Sequence, residues 1–158
     1  MRSKSLTAAS LLWASGLGSA SAADEIRLDE VPENIRRVAE YYAPGTTFTA
    51  AGIEIESGLT IYELSGPLPN GRRIEIDIFA NGELDEIEME ADVSDLPQAV
   101  LDAVGKIAPE GDIVFVETSV HGDGRFYYEV EVSLGGETRG FEIAENGDIV
   151  SSEGAASS

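Results

Sequence analysis

The sequence predicts an α+β fold of two tandem repeats, each one helix packed on an antiparallel sheet of about four strands. Three observations carry that expectation. "VPENIRRVAEYYAPG" from Val31 and "LPQAVLDAVGKIAPEG" from Leu96 align with Pro32 over Pro97 and Ala43-Pro44 over Ala108-Pro109, an offset of 97 − 32 = 65. Asn81-Gly82 and Asn146-Gly147 keep the same offset of 65. Between these anchors apolar and polar residues alternate with period two, the pattern of half-buried strands, and a recurring unit of this length signals an internal repeat.

In chain order, residues 1–22 read as an export signal. Arg2 and Lys4 form its positive start, "LTAASLLWASGLG" its apolar centre, and Ala20-Ser21-Ala22 a small-x-small cleavage site. No second apolar stretch of about 18 residues follows, so no membrane insertion is expected. The first repeat, residues 23–92, opens on a helix with Pro32 at its first position and Ile35, Val38, Ala39 and Tyr42 on one face. The second, residues 93–152, does the same with Pro97 and Val100, Ala103, Val104 and Ile107. In the strands that follow, Ile74, Ile76 and Ile78 point one way and Arg73, Glu75, Asp77 and Phe79 the other. Phe126, Tyr128, Val130 and Val132 oppose Tyr127, Glu129 and Glu131 in the same manner. The two Asn-Gly pairs predict tight type I′ hairpins, and Pro69-Asn70-Gly71, Gly122-Asp123-Gly124 and Gly135-Gly136 mark further turns. A unit of this size buries a thin core alone, so the two are expected side by side. Residues 153–158 are expected to be a disordered tail, and all of "SSEGAASS" lacks anything to bury.

Charge limits the partners. The formal charge of −20 becomes −22 once the two basic residues of the signal are removed. Nucleic acid and anionic lipid require clustered Lys and Arg, so neither is expected, whereas a basic protein or a divalent cation is compatible. With no Cys the chain has neither a disulfide framework nor a thiol for catalysis or lipid attachment.

Catalytic chemistry has few candidates. His121, the only histidine, stands in "VHGDGR" and reads as a surface turn residue. "GGETRG" lies between strands and reads as a hairpin rather than a phosphate loop. Glu86, Glu88 and Glu90 share one face of a strand with Glu83, Asp85, Asp92 and Asp95 around them; a solvated face outweighs weak calcium binding, and acid-base catalysis ranks last. No catalytic residue, metal ligand or cofactor is therefore assigned. If the Ile74 and Tyr128 faces cover the helices, the opposite surface carries Glu63, Glu75, Asp77, Glu129, Glu131 and Glu142 with Ile61, Phe79 and Tyr127 among them. Aromatic groups within a charged rim suit recognition of a protein. The candidate binding face is Ile61, Glu63, Glu75, Asp77, Phe79, Tyr127, Glu129 and Glu131.

"FYYEVEVSLGGETRGFEIAENGDIVSSE" and "TIYELSGPLPNGRRIEIDIFANGELDEIEME" resemble the PepSY-like module: an aromatic-Glu-hydrophobic strand, a turn, then a strand ending in an acidic-x-Asn/Asp-Gly turn. Tandem modules of this kind are similar to the beta-lactamase-inhibitor-like fold, in which helices cover one face of a continuous sheet and the other face holds a protein. The usual PepSY ending Asp-x-x-Thr-Gly is absent, which points to the PepSY-like branch, and no inhibitory loop carries over. The resemblance implies an exported, non-catalytic module that binds, inhibits or regulates a protein partner in the cell envelope, a peptidase among the candidates, and the charge is compatible with that partner being basic. The alternative is an acidic divalent-cation-binding or envelope stress protein without a specific protein partner.

Overall fold

A computed structural model describes residues 23–153. The export signal expected over residues 1–22 and residues 154–158 of the expected tail lie outside the described residues.

The architecture corrects the expected fold class. Instead of two helix-on-sheet repeats, the described chain forms a single nine-stranded antiparallel sheet with two short helices, and it is mostly β. The strands are β1 (Asp24–Ile26), β2 (Ala50–Glu56), β3 (Leu59–Pro67), β4 (Arg73–Phe79), β5 (Leu84–Glu90), β6 (Asp112–His121), β7 (Phe126–Leu134), β8 (Glu137–Ile143) and β9 (Ile149–Glu153). The helices are α1 (Glu33–Tyr42), between β1 and β2, and α2 (Gln98–Ile107), between β5 and β6. Every strand pairs with its neighbour in sequence, so the sheet is one uninterrupted meander. What sequence periodicity could not reveal is the β5–β6 ladder, which pairs Glu86 with His121 and Glu90 with Glu117 across the middle of the chain. Long-range pairing of this sort leaves no local signal, because period two specifies a strand's faces but not its neighbour.

Both helices start one residue later than expected, with Pro32 and Pro97 as the flanking residues in extended or near-extended backbone. Proline supplies no N–H there, and its carbonyl still accepts the first helical bond, from Arg36 at 3.1 Å and Leu101 at 3.1 Å. The apolar stripes are buried where they face the sheet: Ile35 and Ala39 in α1, Val100, Ala103 and Val104 in α2. Tyr42 and Ile107, the last members of each stripe, overhang the sheet and are partly exposed. Two apolar clusters result. One joins α1 to Leu64, Ile74, Ile76 and Ile78, the other joins α2 to Val116, Tyr128, Val130, Val132 and Ile143.

The Asn-Gly turns also differ from expectation. Asn81 and Asn146 do not adopt positive φ, so neither turn is type I′. Gly82 and Gly147 alone take it, at 90° and 88°. In each turn the glycine N–H donates to the carbonyl three residues back, and the Asn side chain accepts the N–H of the residue two further on. That geometry is the three-residue loop in which a type I turn is followed by a left-handed glycine, and a separate register shift follows in each ladder, between Asp77 and Ile78 and between Glu142 and Ile143. Two-residue loops with both φ positive occur instead at Ser57-Gly58 and, as the sequence indicates, Gly135-Gly136. The end of the chain departs as well: Ser151 to Glu153, expected to be loose, belong to β9 and pair with β8.

Gly122 is where the two halves meet most tightly. Its N–H donates to Asp85 carbonyl at 2.6 Å, and a Cβ placed on it would sit 2.0 Å from the carbonyl oxygen of Leu84. Gly105, by contrast, has open space around it within α2. Gly122→Ala should therefore lower unfolding free energy by about 2 kcal/mol or more through backbone displacement, whereas Gly105→Ala should raise it by about 0.5–1 kcal/mol. Urea unfolding followed by circular dichroism measures both.

Candidate functional site: the carboxylate face

Because each strand alternates and neighbours are in register, the sheet face turned away from the helices is a lattice of cross-strand rows. One row runs Gly52, Glu63, Asp77, Glu86, His121. A second runs Ser65, Glu75, Glu88, Ser119, Tyr127, and a third Glu90, Glu117, Glu129, Glu142, Ser151. Ile61 and Phe79 lie opposite each other on the same face. The structure thus brings all eight expected residues to one side. Glu142 joins them as the alternation indicates, and the structure adds Glu54, Glu86, Glu88, Glu117, Ser119 and His121.

Two expectations about this face are corrected. Glu86 and Glu88 are not a solvated row: they are only 5% and 6% exposed, while Glu90 is half-buried. His121 is not a surface turn residue either. It is the last residue of β6, its side chain is 12% exposed, and Nε2 lies 3.3 Å from Glu86 Oε1 and 3.1 Å from Glu142 Oε1. The aromatic groups are less exposed than a recognition patch implies, since Ile61 and Tyr127 are buried and Phe79 is half-buried. Tyr127 is fixed from two sides: its ring meets the His121 ring edge-on at 5.3 Å, and Arg125 donates to its hydroxyl at 3.3 Å.

Like charges directly opposite on a sheet repel, and burial disfavours the ionised form of each. The titration of the face follows. Burial, then the charges of Glu75 and Glu54, push Glu63 up to about 8. Burial leads again for Glu117, pushed up to about 7, and for Glu129, pushed up to about 9 with Glu86, Glu117 and Glu142 adding to it. Asp77 and Glu88 are raised well above the ordinary carboxylate range, chiefly by burial. Asp85, at the edge of this group, rises to about 6 by burial and the neighbouring Glu86.

The bases present act locally. Arg73 is paired with the Glu75 carboxylate, which burial nonetheless raises. His121 is raised by its hydrogen bond to Glu142, and this outweighs its own desolvation. Burial raises Glu142, but the bonds from His121 and from Ser151 at 3.0 Å leave it below its ordinary value. Ser119 donates to Glu86. Toward β1 the face opens into a cleft of about 290 Å³ over Gly52, Glu63, Ser65, Arg73 and Glu75.

No protein-family model matches the chain, and no curated protein matches it. Solved structures do. A DUF2874 family protein from Bacteroides ovatus superposes with TM-score 0.63 at 11% identity, covering 78% of this chain and 86% of its own. A chain from Bacteroides eggerthii, provisionally described as periplasmic, gives 0.62 at 11% identity over 78% and 88%. A BLIP-like protein from Bacteroides fragilis gives 0.58 at 18% identity over 80% and 88%. The fold of this chain is therefore that of the DUF2874 and BLIP-like proteins.

The raised carboxylates give stability a definite pH dependence. Glu63 ionises near its ordinary 4.5 when unfolded and near 8 when folded, so the unfolded chain releases its proton first, and stability falls as pH rises from about 4.5 to about 8. Glu117 and Glu129 extend the same trend toward about 7 and about 9. Melting temperature should thus be higher near pH 5 than near pH 8, and Glu63→Gln should flatten part of the slope; scanning calorimetry across pH is the check. Imidazole resonances of His121 should titrate above the ordinary 6.5 in a proton NMR series.

Proposed function

We propose that this protein is an exported, non-catalytic module of the PepSY-like kind that binds a cationic protein partner through the sheet face turned away from its helices. The observation that carries this reading is the sidedness of the sheet: both helices pack on one face, and the other gathers carboxylates from seven consecutive strands, β2 to β8, around Ile61, Phe79 and Tyr127. A Lys- or Arg-rich loop of a partner, a peptidase among the candidates, would supply the positive charge that the face lacks, and the half-buried Phe79 ring would add contact area. Placement in the periplasm is supported by the export signal expected over residues 1–22 and by the description of the Bacteroides eggerthii neighbour. The non-catalytic part of the reading rests on the sequence, which has no Cys and a single His.

Crosslinking from an envelope extract, at low and at near-physiological salt, should enrich one protein under both conditions. Phe79→Ala should lower its affinity about tenfold, the usual consequence of removing an aromatic anchor, without unfolding the chain. Scattered captures seen only at low salt, and indifferent to the variant, would reject the reading.

A further inference from the structure

The centre of the carboxylate face holds an arrangement that the partner reading does not need. Glu86 and Glu88 project from β5, and Glu129 projects from β7, with β6 between them. The β6 residue in the middle row is Ser119, fully buried and small, standing between Glu88 on one side and Tyr127 on the other. The three carboxylates converge beside its short side chain. One oxygen from each lies within 4.8 Å of the others.

That spacing is the size of a coordination shell. Oxygen ligands of calcium stand about 2.3–2.6 Å from the ion, so any two of them are at most about 5 Å apart. All three side chains are more than nine-tenths buried. A second observation is independent of the clustering: although the Glu129 carboxyl meets that of Glu88, its Oε2 is out of contact with solvent and accepts no hydrogen bond from a donor among the described residues. A buried carboxylate oxygen without a donor is costly, and a cation is the group that satisfies several such oxygens together. Around them, Ser119 donates to Glu86, and His121 approaches Glu86 at 3.3 Å, which orients one of the three.

We propose that Glu86, Glu88 and Glu129 form a binding site for one hard divalent cation of calcium size, assembled across β5 and β7 above Ser119. Only oxygen donors converge, which favours calcium over zinc or copper, and carboxylates on separate strands form a flexible shell that suits calcium better than the strict octahedron of magnesium. The bound ion would tie the strand that ends the first half of the chain to the middle of the second. This inference goes beyond the partner reading and stands without it.

The test is a calorimetric titration of calcium chloride into the metal-stripped protein at about 0.15 M salt and about pH 8, where protons compete less for the carboxylates than at neutral pH. One saturable equivalent is expected, with a dissociation constant on the order of 0.1–1 mM, the range of extracellular calcium modules. Glu129→Gln and Glu88→Gln should each weaken it about tenfold or more, whereas Glu137→Gln, at an exposed position on β8, should leave it unchanged. Both site variants replace a buried carboxyl with an uncharged side chain of the same size, so their folds should persist. A readout on the unaltered protein guards against failure to fold: about 10 mM calcium chloride should raise its melting temperature by several degrees over sodium chloride of equal ionic strength. Non-saturating heat, a Glu129→Gln variant that binds as well as the original, or no calcium-specific rise in melting temperature would each overturn the proposal.

Discussion

The pleat of an uninterrupted meander is the constraint on which the rest of this structure depends. With nine strands paired in sequence order, each side chain has two destinations, and the register carries that choice from strand to strand. One destination is an apolar layer under two helices, built from Ile74, Ile76 and Ile78 in the first half and Tyr128, Val130 and Val132 in the second. The other is a surface where Glu63 faces Asp77, Asp77 faces Glu86, and Glu117 faces Glu129. A slip of one residue anywhere would exchange the two sets.

The carboxylate face works against the fold that carries it. Cross-strand pairs of like charge are unfavourable, and ten polar or charged residues, eight of them glutamates, are nevertheless buried there or at its edges. The apolar layer must offset that cost, and a neutral or cation-bound face lowers it. This is why the same residues underlie the pH trend, the proposed attraction of a basic partner and the proposed cation site at Glu86, Glu88 and Glu129. Charge stored against the folding free energy is commonly a mark of binding, because a ligand that neutralises it gains from both the contact and the relief of repulsion.

Much of this was legible in the amino-acid order. Alternation assigned Glu63, Glu75, Asp77, Tyr127, Glu129 and Glu131 to one face, and the helix stripes identified Ile35, Ala39, Val100, Ala103 and Val104. Other features were hidden for separable reasons. The turn chemistry at Asn81-Gly82 depends on whether Asn or only Gly takes positive φ, and both solutions use the same dipeptide. His121 sits beside a turn motif, and nothing local reveals that Glu86 and Glu142 flank it from neighbouring and more distant strands. Glu86 and Glu88 look solvated in sequence, since burial of an acidic strand face comes from the surrounding strands and not from the strand itself.

The sequence by itself determined the periodicities: which residues of each strand and helix face the same way, where the chain turns, and that the molecule is strongly acidic and free of cysteine. Only the tertiary structure decided that β5 pairs with β6 to make one sheet instead of two, because a ladder between distant segments is specified by packing and register rather than by either segment's composition. That single pairing sets Glu86 and Glu88 two strands from Glu129, encloses His121, and turns two short acidic rows into one continuous charged face.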